Sequence, residues 1–247
     1  MGLADNIARV QERIASACAR VGRDTSEVTL VAVSKTFPAE AVAEAYRLGL
    51  RDFGENRVEE AAGKISDIKY QISNLTPDLR ASEITWHLVG HLQSRKAREA
   101  VELFDVIHSV DSVKLANKLS RLCVETGRVM PILLECNVSG EETKYGFPIV
   151  NAAGLASWLG EVEAMAALPG VCVSGLMTVA PMTANPDEAR PVFRALRELR
   201  DELAHRFPYA DWGRLSMGMT DDFDVALEEG ATMVRIGRAI FGERRQE

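Results

Sequence analysis

The chain has 247 residues, of which 47% are hydrophobic and 26% charged, and its formal net charge is −7. This is the composition of an ordinary soluble globular protein, long enough for one large core and for an α/β barrel in particular. The acidic balance lacks the basic footprint that sequence-independent nucleic-acid binding requires, which excludes nucleic acid as a partner.

At the N-terminus, Leu3 to Arg20 alternates charged and apolar residues at helical spacing. It has no apolar signal-peptide core, and no later stretch is long enough to span a bilayer, so the chain reads as cytoplasmic with no membrane contact. From there, short apolar runs alternate with amphipathic helical patterns. A strand over Val28–Ser34 precedes a helix over Ala39–Leu48, Asp52–Gly54 precedes Arg57–Ile72, Trp86–Gly90 precedes Ser94–Leu103, and Val106–Val110 precedes Ser112–Thr126. Ile132–Val138 then precedes Ile149–Ala167, Val171–Thr178 precedes Pro186–Arg206, Leu215–Met217 precedes Asp221–Glu229, and Met233–Ile236 is the last strand. Asp111 or Ser112 is placed to cap the fourth of these helices, and Asp221 or Asp222 the seventh.

Eight strands joined by helices, with no long linker or low-complexity tract, favour a (β/α)₈ barrel over an open doubly wound sheet. The expected organisation is a single domain over residues 1–247, with residues 1–27 as an extra N-terminal helical segment packed on the barrel. Cys18, Cys123, Cys136 and Cys172 are widely spaced, with no C-x-x-C pair and no histidine at zinc-finger spacing. They read as reduced, mostly buried thiols, and no metal site is expected.

In a barrel, chemistry gathers at the C-terminal ends of the strands. Lys35 closes the first apolar run there, and an ammonium in that position either has a partner or tends to lose its proton, the condition that Schiff-base chemistry uses. Ser216-Met217-Gly218-Met-Thr220 and Arg235-Ile-Gly237-Arg238 each set a glycine and backbone N–H groups at a strand end before a helix, an arrangement suited to phosphate oxygens. Either segment alone is equally a tight turn whose glycine permits close packing. Together they match the barrel phosphate site after strands seven and eight. A lysine and a phosphate cradle on one face suit a phosphorylated aldehyde, and pyridoxal 5′-phosphate is the common cofactor of that description. The alternative for Lys35 is a phosphate counter-ion or a surface lysine whose stem alone is covered.

Asn56 could hydrogen-bond a cofactor, or equally cap the helix that follows it. His87, His91 and His108 read as satisfied core or loop histidines before catalytic ones. Lys144, in a charged loop, reads as solvated, with contact to a ligand anion as the alternative, and Glu243-Arg-Arg-Gln-Glu247 reads as a solvated tail.

Several segments carry a family resemblance: Val31-Ala-Val-Ser-Lys35-Thr, Asp52-Phe-Gly-Glu-Asn56, Trp86-His-Leu-Val-Gly-His-Leu-Gln-Ser94, Ile107-His-Ser-Val-Asp111, Ser174-Gly-Leu-Met177, Leu215-Ser-Met-Gly-Met219, Val234-Arg-Ile-Gly237 and Ile240-Phe-Gly242. In order and over every βα unit, from about Val28 to Gly242, the chain resembles the pyridoxal phosphate homeostasis proteins. The resemblance implies a barrel of the alanine racemase N-terminal type, with pyridoxal phosphate as an internal aldimine on Lys35. It implies cofactor contacts from Asn56, Ser216, Met217, Gly218, Gly237 and Arg238, with Arg235 facing the pyridine nitrogen. Such an arginine would leave that nitrogen unprotonated and the ring a weak electron sink.

Two positions depart from the family pattern. Arg238 stands where many members have Ser or Thr, which removes one hydroxyl contact to phosphate, and Arg57 stands where many have Tyr. Racemases of this type draw a second acid/base from a tyrosine of an additional C-terminal β domain, whereas this chain stops at Glu247 and has only Tyr46, Tyr70, Tyr145 and Tyr209. The expectation is therefore a monomeric carrier that buffers pyridoxal phosphate or delivers it to apo-enzymes, without catalytic residues and without appreciable racemisation. The alternatives are a cofactor-dependent enzyme on an unidentified amine, with Lys35 as base and His87 or Tyr145 as its partner, and a cofactor-free scaffold.

Overall fold

The first apolar run becomes β1, Thr29–Val33, and it pairs in parallel on both sides with strands remote in sequence. On one side lies β2, Asp52–Glu55, in register Ala32↔Phe53; on the other lies β9, Met233–Ile236, in register Val31↔Arg235. The computed structural model in which these pairings occur describes residues 2–75 and 83–243. Between β2 and β9 come β3 (Thr85–Leu88), β4 (Val106–Val110), β5 (Met130–Asn137), β6 (Phe147–Pro148), β7 (Val171–Met177) and β8 (Arg214–Ser216). The sheet runs β4-β3-β2-β1-β9-β8-β7-β5, and a further β4–β5 pairing closes the ring. Closure excludes the open doubly wound alternative and leaves an eight-stranded parallel barrel, with β6 as a two-residue spur on the end of β5.

Helices surround it: α1 (Leu3–Arg20), α2 (Ala39–Arg47), α3 (Val58–Leu75), α4 (Ala97–Leu103), α5 (Val113–Glu125), α6 (Ala152–Ala166), α7 (Arg190–Arg206), α8 (Phe223–Glu228) and α9 (Arg238–Phe241). Ser112 caps α5, its Oγ accepting from the Leu115 N–H at 3.3 Å. The helix expected from Ile149 starts later, because Asn151 caps α6 by accepting from the Gly154 N–H at 2.9 Å. Ser94–Lys96 and Pro186–Ala189 are 3₁₀ turns leading into α4 and α7. Neither β6 nor α9 was expected, since two and four residues are too short to show a period. The tail after Glu243 lies outside the described residues, and no described helix is long and apolar enough to cross a membrane.

Most of the core lies between barrel and helices. On α7, Phe193, Leu196, Leu199 and Leu203 form a buried stripe at helical spacing. Each such side chain contributes about 1.5–3 kcal/mol of transfer free energy. Inside the barrel an apolar layer of Val31, Leu133, Met177 and Met233 is a separate cluster, and the interior also holds buried polar residues.

The last βα units are fixed by charge as well as packing. Helix α1 packs on α8 and α9, where Asn6 Nδ2 donates to the Ile240 carbonyl at 2.9 Å and Arg13 pairs with Asp224. Glu229, just past α8 and 4% exposed, is ringed by Arg190 at 3.3 Å, Arg194 at 3.0 Å and Arg197 at 3.1 Å, all from α7. Burial pushes the Glu229 carboxyl up, but the hydrogen bonds from Arg194 and Arg190 outweigh it and hold it below the usual carboxylate value. Its stabilising contribution is therefore complete at neutral pH and is lost as pH falls through that lowered value. Glu229→Gln is expected to cost about 2 kcal/mol of unfolding free energy at pH 7 and progressively less in acid. Urea denaturation at pH 7 and in acid measures this; a constant difference would show that the charge is not what matters.

Candidate functional site

At the end of β1 the chain turns sharply through Lys35, which is half-buried. The Phe37 N–H donates to the Ser34 carbonyl at 3.0 Å, and Thr36 takes φ +66°, a left-handed value that is strained for a β-branched residue. The turn is held from α3 and β2. Lys64 Nζ donates to the Ser34 carbonyl at 2.7 Å and pairs with Glu55 Oε1 at 2.6 Å, Ser34 Oγ donates to the same Glu55 oxygen at 2.6 Å, and Glu60 accepts from the Thr36 N–H. Glu55 is fully buried and Lys64 is 7% exposed. Burial raises the Glu55 carboxyl above its ordinary value, with Lys64 opposing, and its Oε2 has no hydrogen-bond partner among the described residues. Lys64 went unnoticed in the sequence; its only signal was the i,i+4 spacing from Glu60 on one helix face.

Asn56 follows β2 at the same end of the barrel and is half-buried. The strand ends meet tightly there, for a Cβ on Gly90 would lie 2.4 Å from the Asn56 carbonyl oxygen. On the other side of the ring, Ser216 and Met217 are fully buried and Gly218 turns with φ +92°; a Cβ on it would meet the Ala226 Cβ at 2.6 Å. Asp222 Oδ1 braces this turn by accepting from the Met219 N–H at 2.6 Å, and the Arg235 N–H donates to the Gly218 carbonyl at 3.0 Å. Gly237 packs where a Cβ would stand 3.1 Å from the Val33 carbonyl, which sets the two glycine turns beside the strand that carries Lys35. Arg238 lies on the rim, paired with Asp221 at 2.5 Å and with Glu243 at 3.4 Å. Its cation is thus committed to a bridge between the β8 and β9 loops.

Arg235, 5% exposed, occupies the interior between these turns. Its Nη1 donates to the Ser216 carbonyl and Oγ, both at 2.7 Å, and its Nη2 to the Thr178 carbonyl at 2.9 Å. Burial lowers the guanidinium to about 10, opposed by Asp222 and Glu135, so it remains a cation at neutral pH. Glu135, on β5, is a charged residue inside an apolar strand, and that contrast is its one signal in the sequence. It is 8% exposed and its Oε2 has no partner among the described residues. Burial and the Asp111 carboxylate push it up to about 7, with Arg235 opposing. It lines a cavity of about 180 Å³ with Asn137, Lys144, Tyr145 and Thr178. Lys144 is not the solvated side chain expected: it pairs with Glu141 at 2.7 Å and donates to the Val179 carbonyl at 3.0 Å. His91 pairs with Asp111 at 3.2 Å and stacks on Tyr145 at 4.0 Å, whereas His87 and His108 are buried in the barrel and bonded to each other at 2.9 Å.

Two outcomes follow for the buried charges. Lys64→Met is expected to cost about 3 kcal/mol at neutral pH by stranding the Glu55 carboxylate. Because Glu55 already titrates high, the loss shrinks in acid as that carboxyl takes up a proton, and chemical denaturation at pH 5 and pH 8 reads the difference. Glu135 binds its proton more tightly when folded, so its contribution is fully present below the ordinary carboxylate value and is lost as pH rises through about 7. Glu135→Gln should therefore gain stability relative to the unaltered protein between pH 5 and pH 8, and parallel pH profiles would refute the assignment.

The sequence matches the family described as alanine racemase, N-terminal domain, over residues 4–245. A pyridoxal phosphate homeostasis protein of Aquifex aeolicus is 42% identical over 245 residues, covering 99% of this chain and 100% of the relative. One from Pseudomonas aeruginosa is 41% identical over 242 residues, 98% of this chain and 96% of the relative. Among solved structures, PipY of Synechococcus elongatus with PLP bound superposes with TM-score 0.80 at 36% identity, covering 98% of this chain and 100% of that one.

Proposed function

The chain belongs to the pyridoxal phosphate homeostasis proteins of the alanine racemase N-terminal family, and from that premise we propose that it binds pyridoxal 5′-phosphate and serves in its intracellular homeostasis. The observation that carries this reading is the convergence of Lys35, Arg235 and the Gly218 and Gly237 turns on one end of the barrel. The residues fit the group: a half-buried lysine and a buried guanidinium stand on the adjoining strands β1 and β9, and the Gly218 and Gly237 turns close the same end of the barrel beside them. When bound, the cofactor supplies an aldehyde for Schiff-base formation with an amine, with loss of water.

Lys35 is the covalent attachment in this proposal. Its turn is anchored by Lys64 and Glu60, which fixes where the side chain starts. Ser216, Met217, Gly218, Gly237 and Arg238 form the phosphate end, the last through its backbone N–H because its side chain is held by Asp221. Asn56 bounds the site on the β2 side, and Arg235 faces the ring nitrogen as a donor that keeps it unprotonated. Carriage with hand-over to apo-enzymes is favoured over amine chemistry with His87 as the partner of Lys35, because both His87 ring nitrogens are engaged, by His108 at 2.9 Å and Asp52 at 3.0 Å.

The test is the absorbance spectrum of the protein incubated with pyridoxal phosphate, before and after borohydride. A visible band that borohydride converts into a stable adduct on Lys35, absent in Lys35→Ala, is expected. A colourless protein, or an adduct mapping elsewhere, overturns the assignment, and rapid L- to D-alanine conversion abolished in Lys35→Ala overturns the carrier reading alone.

A further inference from the structure

Beneath Arg235 a continuous line of hydrogen bonds crosses the barrel interior. Ser216 Oγ lies 2.8 Å from His108 Nδ1, His108 Nε2 lies 2.9 Å from His87 Nδ1, and His87 Nε2 lies 3.0 Å from Asp52 Oδ1. His108 and Ser216 are fully buried and His87 is 1% exposed. Asp52, the first residue of β2, borders a cavity of about 560 Å³ at the N-terminal ends of the strands, opposite the mouth that carries Lys35.

The partners dictate where every proton sits. A guanidinium only donates, so Ser216 Oγ accepts from Arg235 and its single proton goes to His108 Nδ1. Burial, with His87, Arg235 and Arg214 acting the same way, holds His108 well below the usual imidazole value and therefore neutral. With Nδ1 accepting, its proton is on Nε2 and goes to His87 Nδ1. His87 then carries its own proton on Nε2, aimed at a carboxylate that accepts. The reverse direction would press a bare nitrogen of a neutral His87 against Asp52, and with either neutral or doubly protonated His87 it would make Ser216 Oγ accept from both His108 and Arg235, leaving its hydroxyl proton without a partner among the described residues. A cation at one end and an anion at the other fix one polarity.

We propose that Asp52, His87 and His108 are positioning residues for Arg235, forming with Ser216 a one-way hydrogen-bond chain that runs from one barrel mouth to the other and sets how the guanidinium meets the cofactor ring. The proposal rests on the reading that Arg235 faces the ring of pyridoxal phosphate. Both Nη1 protons go to Ser216 and one Nη2 proton to Thr178, so among the described residues the Nε proton and the second Nη2 proton remain for the ring. Arg235 enforces this order from one end and the negative charge of Asp52 from the other. Without Asp52 only the Arg235 end holds it, so the inverted form gains population, in which His108 competes with Arg235 for the Ser216 oxygen.

Nitrogen NMR on the full-length protein with isotope-labelled histidine tests the chain without cofactor. His87 and His108 are expected as neutral Nε2–H tautomers in the unaltered protein and as mixtures with the Nδ1–H form in Asp52→Ala. In protein loaded with ring-nitrogen-labelled pyridoxal phosphate, Asp52→Ala should move the ring-nitrogen resonance and weaken cofactor binding by about fivefold, the scale of one modest hydrogen bond. Asp52→Asn, which offers a neutral acceptor in the same place, should move both in the same direction by less. An imidazolium or an Nδ1–H tautomer at either histidine of the unaltered protein overturns the chain whether or not the variants fold. Unchanged resonance and affinity in the folded variants overturn its link to the cofactor. An unaltered protein that takes up no pyridoxal phosphate brings down the functional reading and this link together, and the histidine tautomers distinguish that failure from the others.

Discussion

The pairing of β1 with β9 is the constraint on which the rest of the structure depends. Thr29, Leu30, Val31 and Ala32 register against Met233, Val234, Arg235 and Ile236, so residues some two hundred positions apart become neighbours in one ladder. That ladder sets Lys35, at the end of one strand, beside Gly237 and Arg238, at the end of the other. In an open sheet the two ends of the chain could lie on opposite edges, and the lysine and the glycine turns would share no surface. The β4–β5 pairing completes the ring and gives the interior two mouths.

A closed barrel this small fills its interior with side chains, and here a large share of them are polar. The apolar layer of Val31, Leu133, Met177 and Met233 accompanies His87, His108, Glu135, Ser216 and Arg235, while Glu55 is buried on the outer side of β2 against α3. Buried charge is costly unless it is paired, and the structure pairs it unevenly. Among the described residues, Lys64 neutralises Glu55 while leaving one carboxylate oxygen without a partner, and Glu135 likewise keeps an oxygen without a partner, with its carboxyl raised to about 7. Groups in that condition concentrate at functional sites, where stability is given up for chemistry. The outer shell behaves differently: Glu229 is oversupplied with arginine, and its role is to hold α8, which packs under Gly218.

Much of this was legible in the sequence. The eight strands emerged from apolar runs of the right length, and Lys35, Ser216, Gly218, Arg235 and Gly237 stood out because lysines and glycines at strand ends are rare without cause. The elements that went unseen, β6 and α9, are shorter than any period that could reveal them. Lys64 was hidden because a lysine on an amphipathic helix ordinarily faces water, and nothing local tells that this one points at a strand end. Lys144 was read as solvated for the same reason, though its partner carbonyl lies thirty-five residues away.

Taken alone, the sequence determined the alternation of strand and helix, the family and the identity of the residues that converge, because these depend on local periodicity and on motifs written in consecutive positions. Closure of the sheet, the clamp of Lys64 and Glu60 on the Lys35 turn, the capture of Arg238 by Asp221 and the line from Asp52 to Arg235 were decided only by the tertiary structure. Each joins side chains from different strands or helices, and such contacts depend on register and burial, which no local window of sequence encodes.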